Sequence, residues 1–75
     1  MTYIIRYYNK EGAVAYSMVE SKDELEKKVK EVPQEGLEIR HNKLSYVDYC
    51  NQVGHGACLA SNIMLNSYFS NSESL

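Results

Sequence analysis

Two runs near the start of the chain, TYIIRYY (2–8) and AVAYSMV (13–19), are rich in aromatic and β-branched side chains. Between them NKEG (9–12) supplies turn residues and a glycine suited to positive φ. The stretch predicts a β-hairpin with a four-residue loop. Setting Tyr8 opposite Ala13 puts Tyr7 opposite Val14, Ile5 opposite Tyr16 and Tyr3 opposite Met18. That register gathers an apolar face. Ile4, Arg6, Tyr8, Ala13, Ala15 and Ser17 fall on the other face, whose charge marks it as the solvent side.

SKDELEKKVKEVP (21–33) changes period. Ser21 and Glu24 have capping-box spacing, and Leu25, Val29 and Val32 recur at i, i+4, i+7. Asp23–Lys27, Glu24–Lys28 and Glu26–Lys30 are i,i+4 pairs in the favourable order, and Pro33 stops the helix. The narrow stripe suits a helix lying on a sheet. LEIR (37–40) and KLSYVDY (43–49) flank His41-Asn42 and predict a second hairpin with a two-residue turn. It would put Leu37, Ile39, Leu44 and Tyr46 on one face, and Glu38, Arg40, Lys43, Ser45, Val47 and Tyr49 on the other. ACLASNIMLNSYF (57–69) predicts a second helix, and SNSESL (70–75) a frayed tail. The expected fold is α+β: an antiparallel sheet of about four strands from two hairpins, with two helices on one face, in ββαββα order. Residues 1–69 form one domain.

Composition narrows the function. Seventy-five residues make a single domain that buries about 60% of its unfolded surface. A net charge of −2 argues against a duplex nucleic-acid binder. No signal-peptide run or membrane-length apolar stretch is present, so the expected setting is cytoplasmic and reducing, with the two cysteines as free thiols. Seven of the eight Lys/Arg and eight of the ten Asp/Glu lie within residues 1–40. The rest is rich in Asn and Ser; compositional drift is the simplest reading, and lower exposure or a facing partner are the alternatives.

Candidate chemistry concentrates in CNQVGHGAC (50–58). Cys50, His55 and Cys58, with His41, have the ligand types of a Cys₂His₂ zinc site but lack the close pairs that usually fix two ligands at once. Cys58 near a helix N-terminus with His55 beside it suggests an activated thiol, with Asp48 or Asn51 to orient the base. A chain this short offers little wall for a substrate pocket. The simpler expectation is a glycine hinge leading into the last helix, with Cys58 packed as a small core residue. No phosphate loop or dinucleotide fingerprint is present, and no cofactor is implied.

Seven tyrosines are the remaining signal. The predicted registers point Tyr3, Tyr7, Tyr16 and Tyr46 at the core. They point Tyr8 and Tyr49 outward beside Arg6 and Arg40, and Tyr and Arg are common interface anchors. Arg6, Tyr8, Arg40 and Tyr49 are therefore the candidate binding residues. The leading expectation is a non-catalytic protein-binding domain acting sterically on a larger partner, as an accessory or inhibitory protein of the kind phages and mobile elements encode. The alternatives are a small zinc module using Cys50, His55 and Cys58, and a single-stranded nucleic-acid binder stacking bases on the Tyr/Arg face. An exposed sheet edge also allows a homodimer.

Overall fold

A computed structural model describes residues 1–54 and 61–75. Their elements are β1 (Thr2–Tyr8), β2 (Val14–Val19), α1 (Lys22–Glu31), β3 (Glu38–Asn42), α2 (Tyr46–Gln52), α3 (Asn62–Ser70) and β4 (Glu73–Ser74). The four strands form one antiparallel sheet in the order β2-β1-β3-β4. The α+β class and the four-stranded antiparallel sheet match expectation. The order is β-β-α-β-α-α-β, with three helices where the sequence predicted two.

The first hairpin forms with its register moved by one residue. The Asn9 N–H donates to the Ala13 carbonyl at 2.9 Å, so Asn9 extends the ladder and three residues, Lys10 to Gly12, make the loop. Asn9 Oδ1 accepts from the N–H groups of Glu11 and Ala13 at 2.9 and 3.0 Å. Gly12 takes φ of +82°, the left-handed position that three-residue hairpin loops favour for glycine. Tyr8 thus pairs with Val14, Arg6 with Tyr16 and Ile4 with Met18. Because side chains alternate across a strand, a one-residue shift moves all of β2 to opposite faces. Val14, Tyr16 and Met18 share a face with Ile4 and Arg6. Ala15, Ser17 and Val19 share the other with Tyr3, Ile5 and Tyr7.

Both faces are covered. Ile4 and Ile5, neighbours on β1, are each 0% exposed. The Ile5 face packs with Tyr3 against Leu25 and Val32, with Val19, Val29, Leu37 and Ile39 around them. The Ile4 face packs against Tyr46, Cys50, Met64, Tyr68 and Phe69 of α2 and α3. The expectation of two helices on one face, with the Ile4–Arg6–Tyr8 face in solvent, is therefore corrected. One helix lies on each side of the sheet's centre, and a second joins it on the Ile4 side.

The start and stop signals of α1 work as read, but the expected i,i+4 pairs Asp23–Lys27, Glu24–Lys28 and Glu26–Lys30 do not close; Lys28 turns to Glu31 at 3.8 Å instead. Ser21 Oγ accepts from the Glu24 N–H at 3.2 Å, and Glu24 Oε2 accepts from the Glu20 N–H at 3.3 Å. Beyond α1 the predicted second hairpin does not form. His41 and Asn42 stay in strand, and β3 pairs with β1 instead of residues 43–49. Ser45 caps α2, its Oγ accepting from the Asp48 N–H at 3.1 Å. The Ser45-x-x-Asp48 spacing is a helix-start signal of the same kind as Ser21-x-x-Glu24. It prevails over the alternation of Leu44 and Tyr46. The start of the predicted last helix, residues 57–60, lies outside the described residues, and α3 covers its later part. Glu73 and Ser74, expected to fray, pair with His41 and Arg40 as β4. Ser72 before them is buried, with Oγ donating to the Tyr68 carbonyl at 2.7 Å.

Gly36, at φ of +67°, lets the chain turn into β3 beneath the Tyr8 ring, where a Cβ would collide with the ring carbons Cδ2 and Cε2. Gly12 has comparable φ and open space around it. Gly12→Ala is expected to lose only the conformational cost of a left-handed non-glycine residue, about 1–2 kcal/mol. Gly36→Ala should lose more in urea unfolding, and the excess should vanish when Tyr8 is also replaced by alanine.

Candidate functional site

The four candidate binding residues do not share one open surface. Arg6 and Arg40 do lie on the same sheet face, but α3 sits over them. The Arg6 guanidinium carbon is 4.4 Å from the Phe69 ring centroid and that of Arg40 4.8 Å. Arg6 Nη2 also meets Glu38 Oε1 at 2.8 Å. Arg40 Nη1 donates to the carbonyls of Phe69, Ser70 and Ser72 at 3.3–3.4 Å. These carbonyls lie at the α3 C-terminus, where a cation offsets the exposed end of the helix dipole. Both arginines thus have internal work.

Tyr49 lies on α2 rather than on a strand. Its ring packs on Tyr68 at 5.2 Å between centroids, and its hydroxyl is 2.8 Å from Ser67 Oγ. Tyr8 alone of the four keeps a large open surface, at 43% exposed.

Cys50 is fully buried on the Ile4 side of the sheet. His41 alternates to the other side and lies 3.6 Å from Glu73 through its Nε2. The structure therefore does not bring these two predicted zinc ligands together. His55, Gly56 and Cys58, and with them the activated-thiol arrangement and the second half of the glycine hinge, lie outside the described residues; Gly54, at φ of +80°, follows α2. Among the described residues no group of three or more His, Cys, Asp or Glu is placed to hold a metal ion. No helix among them is long and apolar enough to cross a membrane. A groove of about 440 Å³ runs between α1 and β3, with Leu25, Val29, Ile39 and Leu75 inside and Lys22 and Lys30 among the residues at its margin.

The surface that sequence reasoning did not single out by residue is the outer edge of β2. The Asn9–Ala13 bond fixes the phase of the β1–β2 ladder. In an antiparallel pair, hydrogen-bonded and non-hydrogen-bonded positions alternate. Counting from Asn9–Ala13, the pairs Tyr7–Ala15, Ile5–Ser17 and Tyr3–Val19 exchange bonds. Val14, Tyr16 and Met18 consequently turn their N–H and C=O groups away from β1. Among the described residues no strand lies beyond β2. Val14 and Met18 are 45% and 39% exposed, and Val14 stands directly across from Tyr8. The edge therefore combines outward backbone groups with an apolar strip of Tyr8, Val14 and Met18. The missed signal was the loop length, which decides which β2 side chains join Tyr8.

No family model matches the chain, and comparison with curated proteins and with solved structures returns no match.

Arg40→Gln is expected to lower unfolding free energy by about 1.5–3 kcal/mol, the range for a hydrogen-bonded charge, measured by urea titration. A second expectation concerns Tyr68, whose hydroxyl donates to the Leu44 carbonyl in the core. Burial pushes its phenol above the ordinary value, a hydrogen bond with Thr2 opposes this, and the charges of Glu20 and Asp48 add to the rise. The folded chain therefore holds that proton more tightly than the unfolded chain. The resulting stabilisation is complete below about pH 10, the unperturbed tyrosine value, and is lost as pH rises through the raised folded value. Tyr68→Phe should be less stable at neutral pH by about 1–2 kcal/mol. Its stability should fall less steeply than the wild type's in alkaline titrations.

Proposed function

We propose that the chain is a non-catalytic protein-binding domain that acts sterically, docking on a larger partner through the free edge of β2. The observation that carries this reading is the edge itself. Three residues of β2 turn backbone groups outward, with no strand beyond them among the described residues and with exposed apolar side chains at Val14 and Met18 and Tyr8 alongside. An extended segment of a partner adding to such an edge gains main-chain hydrogen bonds along the strand. Side-chain contacts at alternate positions supply selectivity. Tyr8 extends the contact onto β1 with a large area at small entropic cost.

This reading keeps Tyr8 as a contact residue and moves the centre of the surface from the Arg/Tyr face to the adjoining edge. Arg6 and Arg40 support it by holding α3 over the same sheet. The accessory or inhibitory role follows from the steric mode of action: a bound domain covers whatever lies beside the captured segment.

The test is affinity capture from the native host with a photoreactive residue at the exposed position 13, beside the edge, in every variant. Wild-type protein is expected to crosslink to a larger protein. Val14→Lys/Met18→Lys should keep its circular dichroism spectrum and lose that protein, and Tyr8→Ala should weaken the capture. Equal recovery of the same protein by the lysine variant would place the contact elsewhere.

A further inference from the structure

The two edges of the sheet are treated differently. The β4 edge has only two residues, one of them Glu73, and short charged edges are a common guard against strand pairing. The β2 edge is six residues long, VAYSMV, with no charge and no proline. An edge of that kind invites a second strand. The occupant it fits best can be read from its symmetry.

We infer that the free protein pairs β2 with β2 of a second copy, forming one continuous sheet across a twofold axis. The inference deepens the proposed function, because the same edge would be covered until a partner displaces the second copy. A twofold that continues an antiparallel sheet at this edge runs perpendicular to it and sets one residue opposite its own symmetry mate. Three centres lie mid-strand. Centring on Ser17 sets Val14 opposite Glu20, and centring on Ala15 sets Met18 opposite Gly12 of the turn. Centring on Tyr16 sets Val14 opposite Met18, Tyr16 opposite Tyr16 and Met18 opposite Val14. Only that register pairs all three outward-bonding residues with each other. Each facing pair then exchanges both its N–H···O bonds, and the two exposed apolar side chains cover one another. No like charges meet along the strand, so self-pairing carries no penalty of the kind that opposed like charges impose. An interface made mainly by one strand pair is small, which places the assembly among weak, concentration-dependent dimers.

The experiment is analytical ultracentrifugation of the purified chain over a concentration series reaching about 1 mM, where weak dimers populate, with amide hydrogen exchange at both ends of the series. The mass is expected to rise from 8.6 kDa toward twice that value. Amides of Val14, Tyr16 and Met18 should gain protection with concentration. Those of Ala15, Ser17 and Val19, bonded to β1, should be protected throughout. Val14→Lys/Met18→Lys, which alters exposed side chains, should remain monomeric. Val14→Pro, which removes an outward donor at the first strand position, should also weaken pairing. A wild-type chain that stays monomeric, or that dimerises without protecting those three amides, overturns the inference. A monomer that still captures a larger protein through β2 would refute self-pairing alone. A dimer with no larger partner would refute the proposed function alone.

Discussion

Two adjacent isoleucines on one strand, both fully buried, set the terms for this molecule. Ile4 and Ile5 point to opposite faces of β1, and a small sheet with one face in water could bury only one of them. Burying both requires cover on two sides. Helix α1 supplies it on one, where Leu25 and Val32 meet Ile5. Helices α2 and α3 supply it on the other, where Tyr46, Cys50, Tyr68 and Phe69 meet Ile4. Each well-buried isoleucine contributes about 1.5–3 kcal/mol relative to exposure, a large share of the net stability of a domain this size. With the centres of both faces occupied, the β2 edge with its flanking side chains and the outer surfaces of the helices are the open surfaces among the described residues.

The second cover is fastened through Phe69. Two guanidiniums lie within 5 Å of its ring centroid, where a cation over an aromatic face contributes about 0.5–2 kcal/mol depending on desolvation. The longer reach of Arg40 also ties the last carbonyls of α3 to the strand below. Arg6 completes the set through Glu38 across the β1–β3 pair. Residues that read as an exposed recognition patch are the clasp between a sheet and its covering helix. The same chemistry serves both purposes, since arginine stacks and donates as well inside a protein as between two.

Much of the fold was legible in local signals. The strand composition of residues 2–8 and 13–19 was enough to place β1 and, to within a residue, β2. Ser21, Glu24 and Pro33 bounded α1 to within a residue or two. The remainder depended on choices that local pattern leaves open. Leu44 and Tyr46 alternate as a strand would, yet Ser45 and Asp48 cap a helix, and the cap prevailed because β3 takes its partner from β1, some 35 residues away. The charge of Arg6 suggested water, whereas Phe69, far along the chain, gave it an aromatic face to lie on. The candidate site was legible at Tyr8 and, as a sheet edge, without its residues. Which β2 side chains flank Tyr8 followed from a single extra ladder pair at Asn9 and Ala13.

That pair makes the register of the first hairpin a parity rule. Three residues between Asn9 and Ala13 send Tyr16 to lie against Phe69 and leave Ser17 on the Ile5 face. Any insertion or deletion in the loop that altered the strand register by an odd number would exchange these roles along all of β2 at once. Changes of two would restore them. An insertion that keeps Asn9 opposite Ala13 would alter the loop alone, so the turn can lengthen while its closing pair stays put.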